Sequence, residues 1–143
     1  MKPTIAYRNL VPTDHEILFK MWKTAPGLTI RNADSFEGFT AFLKRNPRLS
    51  FGVESGGRLV GSILGGHDGR FGSIHHLVVM PAFQNQGLGK QLVKLCLDQL
   101  ESTGTEKCHI FINRDNQNGI KFWENIDWVE RTDLFMASFT FDP

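Results

Sequence analysis

The stretch LVVMPAFQNQGLGKQL, residues 77–92, indicates both the fold of this chain and the kind of ligand it binds. It begins as an apolar strand, turns at Met80 and Pro81, and passes through a glycine-bearing loop into a helix. The first N–H groups of a helix lack intrahelical partners, and the helix dipole favours negative charge there. Glycine also lets an anion approach the backbone because it has no Cβ. The stretch therefore predicts a binding site for a phosphate-bearing ligand.

Two common phosphate-binding motifs do not fit this loop. A P-loop needs two glycines five residues apart, followed by Lys and Ser or Thr. Here position 84 is Gln, and Lys90 is followed by Gln91. A dinucleotide fingerprint needs a further Gly three residues after Gly89, where this chain has Leu92. The loop also follows four predicted strands, whereas that fingerprint lies near the start of a βαβ unit.

Length and composition fit one globular domain spanning residues 1–143, with 41% hydrophobic and 22% charged residues. The net charge of +1 lacks the basic excess typical of nucleic-acid binding. No apolar run approaches the roughly 18 residues of a membrane span, and the N-terminal residues do not resemble a signal peptide. We therefore expect a cytoplasmic protein with no nucleic-acid or membrane partner. Cys96 and Cys108 are expected to be free, buried thiols.

The predicted elements follow the order β-α-α-β-β-β-α-β-α-β-β. Thr13 and Glu16 predict a capping box at the first helix, and Ser35 is expected to cap the second. Antiparallel hairpins give way to a strand-helix-strand crossover, which predicts an α/β fold with helices on both faces of a mixed sheet. The predicted strands are 5–9, 50–54, 59–65, 72–79, 107–112 and one or two within 129–141; the predicted helices are 14–24, 36–45, 87–103 and 116–126.

The glycine loop resembles the pyrophosphate loop of the GNAT superfamily of N-acetyltransferases, whose pattern is Gln or Arg, two residues, Gly, one residue, then Gly or Ala. Gln84, Gly87 and Gly89 match it without a substitution. The run NRDNQNGIKFWE, residues 113–124, resembles the next motif of the family, in which an Asn opens a helix. The order of elements fits over nearly the whole chain. The hairpin over residues 65–73 also resembles that of bacterial YpeA-type acetyltransferases.

The resemblance implies acetyl-CoA as co-substrate, no metal, and a GNAT-type, mostly antiparallel twisted sheet of six or seven strands. Loop N–H groups would hold the pyrophosphate, and the central strand would pair with the pantetheine arm as an added strand does. Asn116 would contact the pantetheine or adenine side, although an N-cap alone also explains it. The implied cofactor-binding residues are Leu77, Val78, Val79, Gln84, Asn85, Gln86, Gly87, Leu88, Gly89, Lys90, Asn116 and Trp123.

The implied reaction is the attack of a neutral amine on a thioester, helped by a general base with a pKa near the working pH. Histidine, with a pKa of about 6.5, meets this condition. His75 and His76 lie on the central strand. Because side chains alternate along a strand, His75 is predicted to share a face with Ser73, Leu77 and Val79, and His76 to point the other way. We predict His75 as the base, with His76 or water as alternatives.

The sequence identifies neither the general acid nor the individual acceptor. Many family members carry a Tyr that protonates the leaving thiolate, but that position here is Trp123, whose indole does not titrate in this range. The acceptor is expected to be a primary amine of a small molecule, an amino acid or a peptide N-terminus, attacking directly in a ternary complex. Arg31 and Arg70 are candidates to hold an acceptor carboxylate. A non-catalytic acyl-CoA-binding or sensing module is the alternative function, and either a monomer or a homodimer fits.

Overall fold

The computed structural model describes residues 2–141, and over these residues the chain forms one five-stranded sheet and four α-helices. Short 3-10 turns precede the first, second and third helices. The strands are β1 Ile5–Asn9, β2 Phe51–Ser55, β3 Arg58–His67, β4 Gly72–Val79 and β5 Cys108–Ile110; the helices are α1 His15–Thr24, α2 Phe36–Arg45, α3 Leu88–Ser102 and α4 Gln117–Asn125.

The sheet has the strand order β1-β2-β3-β4-β5. The first four strands pair antiparallel with their neighbours, and β4 pairs parallel with β5. The parallel pair is joined through α3, because parallel strands need a crossover connection. This confirms the predicted mixed, mostly antiparallel α/β sheet.

Two apolar clusters cover the two faces of the sheet. One contains α3 residues such as Leu92 and Cys96, together with Trp123 of α4. The other contains Leu18 and Trp22 of α1 and Phe39 of α2. Helices therefore lie on both faces, as predicted, and the helical spacing of apolar residues explains which side of each helix is buried.

The C-terminal segment differs from the prediction. Residues 129–141 form no strand, so the described part of the chain has five strands instead of six or seven. Their large apolar side chains are exposed, with Phe135 at 89% and Phe139 at 84%. Alternating apolar residues indicated a strand, but a strand also needs a ladder partner, and β5 is only three residues long.

The start of α1 also differs from the prediction. Asp14 is its N-cap residue, and no side-chain cap hydrogen bond forms there, so the capping box of Thr13 and Glu16 is absent. The Asp14 carboxylate instead accepts the Val11 N–H at 2.8 Å and forms an ion pair with Arg8. Burial by itself raises the pKa of Asp14, but the hydrogen bonds from Arg8 and from the Val11 N–H lower it below its ordinary value. The Asp14 carboxylate therefore binds Arg8 and the Val11 N–H and does not cap α1. A hydrogen bond between two ionised groups is stronger than one between neutral groups.

Cys96 and Cys108 are free thiols, as expected. Cys96 is fully buried, and its Sγ lies 3.3 Å from the carbonyl oxygen of Leu49. Burial raises the pKa of Cys96 to about 12. The helices of the described chain include none that is long and apolar enough to cross a membrane.

Candidate active site

A β-bulge interrupts the central strand β4. The register between β3 and β4 shifts between Ser62 and Leu64, so His76 and Leu77 together oppose Ile63. His76 has a φ of +50°, in the left-handed region that residues other than glycine seldom adopt, although His does so more often than most. An inserted residue of this kind re-aims the side chains around it.

The bulge turns both histidines of β4 toward the helical layer formed by α1 and α2. The His75 ring lies edge-on to Phe42 of α2, with centroids 6.2 Å apart, and the His76 ring lies 4.8 Å from that of Trp22 of α1. His75 shares its face with Ser73, as predicted, because their Nε2 and Oγ atoms are 3.0 Å apart. The prediction that His76 points the other way is wrong.

The same bulge separates His75 from two residues predicted to share its face. Leu77 and Val79 pack in the cluster around α3, whereas Val78 packs on the α1 and α2 side. Strict alternation fails here because one extra residue reverses the facing of every residue beyond it.

The sheet opens between β4 and β5. Their pairing covers only Gly72 to Ile74 against Cys108 to Ile110. His75 is therefore the first residue of β4 beyond the last pair, and the β5-facing edge of the strand has no ladder partner from there onward within residues 2–141. This is the splayed geometry that pairing with an extended pantetheine arm requires. At its far end the Gln84 side-chain amide donates to the Val79 carbonyl at 2.8 Å.

The loop after β4 leads directly into α3, and the first N–H groups of α3 have no helical partner. Gly87 is the N-cap residue with φ +80°, and Asn85 also has positive φ, at +63°. The Gln91 N–H bonds the Gly87 carbonyl at 3.1 Å, so the N–H groups of the three residues between them have no intrahelical acceptor. A Cβ added at Gly87 meets nothing within 4 Å. Leu88 is buried, whereas Lys90 is exposed.

The start of α4 faces the loop that follows α1. Asn116 caps α4, because its Oδ1 accepts the Gly119 N–H at 3.0 Å. Gly27 lies so close that an added Cβ would be 2.5 Å from Asn116 Nδ2, and the Asn113 amide donates to the Gly27 carbonyl at 3.3 Å. An open cleft of about 390 Å³ lies here, lined by Pro26, Gly27, Asn113, Asp115, Asn116, Gln117 and Asn118.

Trp123 lies in the core, with 8% of its surface exposed. Its ring packs edge-on to Phe122 and Trp128, with centroids 5.4 and 4.7 Å apart. Phe122 lies 3.5 Å from the Cβ position of Gly89, so α4 packs against the first turn of α3. Nothing in the sequence indicated this contact between Phe122 and Gly89, except that both motifs were predicted to open helices.

Asp34 lies against His76, and nothing in the local sequence indicates this contact. His76 Nε2 lies 2.7 Å from Asp34 Oδ1, and Asp34 Oδ2 accepts the Arg31 N–H at 2.9 Å. Ser62 Oγ donates to the His76 carbonyl at 2.9 Å and accepts the Trp22 Nε1–H at 3.0 Å. Forty-two residues separate Asp34 from His76, and only the fold brings them together.

The environment of His75 favours its neutral form. Desolvation of its half-buried ring lowers the pKa of His75 below its ordinary value, and the adjacent His76 lowers it further, while Asp34 acts in the opposite direction. A histidine with a lowered pKa is unprotonated at neutral pH and is able to accept a proton.

Comparisons with known proteins agree with this geometry. Residues 15–128 match the Acetyltransferase (GNAT) family. An acetyltransferase of Pectobacterium atrosepticum is 29% identical over 115 residues, covering 80% of this chain and 81% of that protein. An acetyltransferase of Yersinia enterocolitica is 34% identical over 95 residues, covering 66% and 67%.

Solved structures with the same fold include the PaiA N-acetyltransferase of Thermoplasma acidophilum in complex with coenzyme A, with a TM-score of 0.74, 20% identity and coverage of 86% of this chain and 88% of that one. The ribosomal-protein-S18-alanine N-acetyltransferase of Escherichia coli has a TM-score of 0.72, 21% identity and coverage of 90% and 80%.

The predicted enzyme class, an acetyl-CoA-dependent acetyltransferase, is confirmed by the family match and the named relatives. Residues 2–141 contain no cluster of three or more His, Cys, Asp or Glu side chains able to hold a metal ion. The YpeA-type subgroup and the individual roles of the site residues stay predictions. Because the family match spans most of its length, the chain belongs to the acetyltransferase (GNAT) family.

Proposed function

We propose that this protein transfers the acetyl group of acetyl-CoA to a primary amine of a small molecule, an amino acid or a peptide N-terminus, in a ternary complex. The observation that carries this proposal is the unpaired edge of β4, which begins at His75 and leads into the open N-terminus of α3. This edge and the helix start offer backbone pairing groups and free N–H groups, and the lowered pKa of His75 favours its neutral form.

The donor half of the proposed site uses backbone groups. N–H groups of Gln86, Gly87, Leu88, Gly89 and Lys90 receive the diphosphate of acetyl-CoA, favoured by the helix dipole. The open edge over Leu77, Val78 and Val79 pairs with the pantetheine arm. Gln84 and Asn85 shape the loop, the first by its bond to the Val79 carbonyl and the second by its positive φ. Asn116 and Trp123 support this half from α4.

The proposed reaction is a single displacement. The neutral amine attacks the thioester carbonyl carbon, the C–N bond forms, and the C–S bond breaks to release the coenzyme A thiolate. His75 accepts the proton that the amine loses, because its lowered pKa keeps the imidazole neutral. The thiolate takes a proton from water, and His75 returns the proton of the amine to solvent, so that the base is neutral again for the next turnover.

Two exposed arginines, one in the loop after α1 and one in the β3–β4 hairpin, favour an amino acid or peptide acceptor. Arg31 and Arg70 are exposed and available for an acceptor carboxylate. One protein with the same fold is named for alanine N-acetylation of a ribosomal protein, which is an acceptor of this class.

A non-catalytic acyl-CoA sensor is the second candidate, favoured by the burial of Trp123 at the position where many relatives carry a Tyr. An assay of thiol release distinguishes the two functions. Acetyl-CoA is incubated with a panel of polyamines, free amino acids and short peptides, while binding is followed by thermal shift. Turnover with any amine supports the enzyme, whereas binding without turnover across the panel supports the sensor.

A further inference from the structure

The left-handed conformation of His76 needs a compensating contact. A residue other than glycine in the left-handed region carries backbone strain, and His76 has a φ of +50° in the middle of the central strand. Such strain persists only where the surrounding structure over-determines the conformation. Two hydrogen bonds do so here, from Ser62 to the His76 carbonyl and between Asp34 and the imidazole.

Asp34 uses both carboxylate oxygens in this arrangement. Oδ1 contacts His76 Nε2, and because an ionised carboxylate only accepts, that nitrogen carries the proton. Oδ2 accepts the Arg31 N–H within the 3-10 turn at the end of the loop that follows α1. His15 of α1 contacts the Asp34 carbonyl at 2.8 Å. Asp34 is thus buried at the junction of α1, the loop and the bulge.

We propose that Asp34 is a positioning residue that ties the acceptor loop, residues 25–34, to the β4 bulge through His76. The loop then keeps a fixed distance from His75, the neighbour of His76 on the strand. An acceptor held by the loop is presented to the base in one geometry, which is where much of the rate enhancement of a two-substrate enzyme arises. This inference rests on the proposed function, because it assigns the loop to the amine acceptor.

The charged and titratable groups around the pair are few. Asp34 faces His76 from the 3-10 turn, His75 adjoins it on β4, and His15 approaches from α1. Trp22 closes the remaining side with an uncharged ring. Removal of the Asp34 carboxylate therefore leaves the imidazole of His76 without its only anionic partner among residues 2–141.

Three substitutions separate positioning from folding. Asp34→Ala and His76→Ala remove the contact, whereas His76→Gln places an amide nitrogen close to the position of the imidazole Nε2 and so keeps a donor for Asp34. With an alanine-initiated hexapeptide as acceptor, the two alanine variants are expected to raise the acceptor KM at least tenfold and to leave the acetyl-CoA thermal shift unchanged. In His76→Gln the rise in acceptor KM is expected to be at least threefold smaller than in His76→Ala.

Asp14→Ala is the matched control. Asp14 is also a buried carboxylate that accepts a backbone N–H three residues earlier in a 3-10 turn, but its partner is Arg8. It is expected to lower the melting temperature without raising the acceptor KM relative to kcat. An unchanged acceptor KM in Asp34→Ala, or an equal rise in Asp14→Ala, overturns the inference.

Hydrogen exchange keeps the inference testable apart from catalysis. Amides of residues 25–34 are expected to exchange at least tenfold faster in Asp34→Ala and His76→Ala, but not in His76→Gln, with α3 unaffected. If the original enzyme acetylates no amine, the proposed function fails while this readout still decides whether Asp34 holds the loop. Unchanged loop exchange, or faster exchange throughout α3, contradicts the role of Asp34.

Discussion

Gly87 is the residue on which the proposed donor site depends most directly. Its φ of +80° and open surroundings fit a backbone that an anion approaches closely. Gly87→Glu is expected to abolish the rise in melting temperature on addition of acetyl-CoA, because the new carboxylate crowds and repels the diphosphate. A ligand that binds the native state alone must otherwise stabilise it, and differential scanning fluorimetry measures the loss.

Gly57→Glu is the control for strain and charge. Gly57 has the same φ of +80° and nothing within 4 Å of its Cβ position, but it lies in the hairpin between β2 and β3. This variant is expected to lose a similar amount of stability and to keep the full ligand-induced shift. If Gly87→Glu still binds acetyl-CoA as the original protein does, the loop is misassigned.

His75 is expected to determine the acid side of the pH–rate profile. Its pKa is lowered by burial and by His76, so the base stays neutral below pH 6.5, and kcat/KM loses its contribution only when the pH falls through the lowered pKa. His75→Gln, which cannot take up a proton, is expected to remove this step from the log(kcat/KM) profile. The rate at neutral pH is expected to fall by about 10²–10⁴-fold. A profile that keeps the same step in His75→Gln excludes His75 as the base.

The two histidines also mark the limit of sequence-based prediction at this scale. Histidine was predicted as the base because the reaction needs a group that titrates near neutrality. Its place on β4 followed from the predicted central strand. The direction of His76 did not, because alternation assumes a regular strand, whereas β4 has a bulge at His76 and the side chain contacts Asp34, 42 residues away in the sequence. Nothing in the local sequence distinguishes a bulged His-His pair from a regular one.

At the scale of elements, the start of α4 combines two roles in Asn116. Its Oδ1 caps the helix, while its Nδ2 lies against Gly27 at the cleft. Asn116→Ala is expected to lower the free energy of unfolding by about 1 kcal/mol through loss of the cap. Asn116→Asp keeps the cap oxygen and adds a charge that the helix N-terminus favours, so stability is expected to stay within about 0.5 kcal/mol. Urea denaturation measures both.

Acetyl-CoA binding then tests the second role of Asn116. Asn116→Asp is expected to weaken binding, because it exchanges an amide donor for a carboxylate in the donor half of the site, whereas Ser35→Ala removes the corresponding cap of α2 and is expected to bind normally. Wild-type affinity in Asn116→Asp reduces the residue to a helix cap.

Elements with a local signal were predicted well. The structure begins and ends α2 and β4 at the predicted residues, and α3 and α4 within one residue of them, because caps, glycines and apolar spacing are local properties. β5 is shorter than predicted, and the closing strands are absent from residues 129–141. Strand limits depend on a partner elsewhere in the chain, which no local pattern encodes.

At the scale of the whole molecule, the helices on the two faces of the sheet have separate tasks. The α3 and α4 side supplies the open helix N-terminus and its capped neighbour, whereas the α1 and α2 side supplies the loop, Asp34 and the surroundings of both histidines. The opening between β4 and β5 connects the two sides. In the proposed function, donor and acceptor meet at β4, whose residues pack in both apolar clusters.

The exposed C-terminal segment allows a test of how complete this unit is. A chain that ends after Glu130 loses exposed side chains such as Phe135 and Phe139, so it is expected to unfold within about 0.5 kcal/mol of the full chain. A chain that ends after Asp127 also loses Trp128, whose ring packs on Trp123 at 4.7 Å. This shorter chain is expected to lose about 2 kcal/mol or more.

Urea denaturation of both truncated chains measures their stability, and the acetyl-CoA thermal shift is a second readout. The chain that ends after Glu130 is expected to keep the full ligand-induced shift, because the donor half of the site lies wholly before it. A contiguous apolar segment is rarely left in water. If removal of residues 131–143 costs as much stability as the loss of Trp128, those side chains are covered in solution, and the functional unit extends beyond the five-stranded sheet described here.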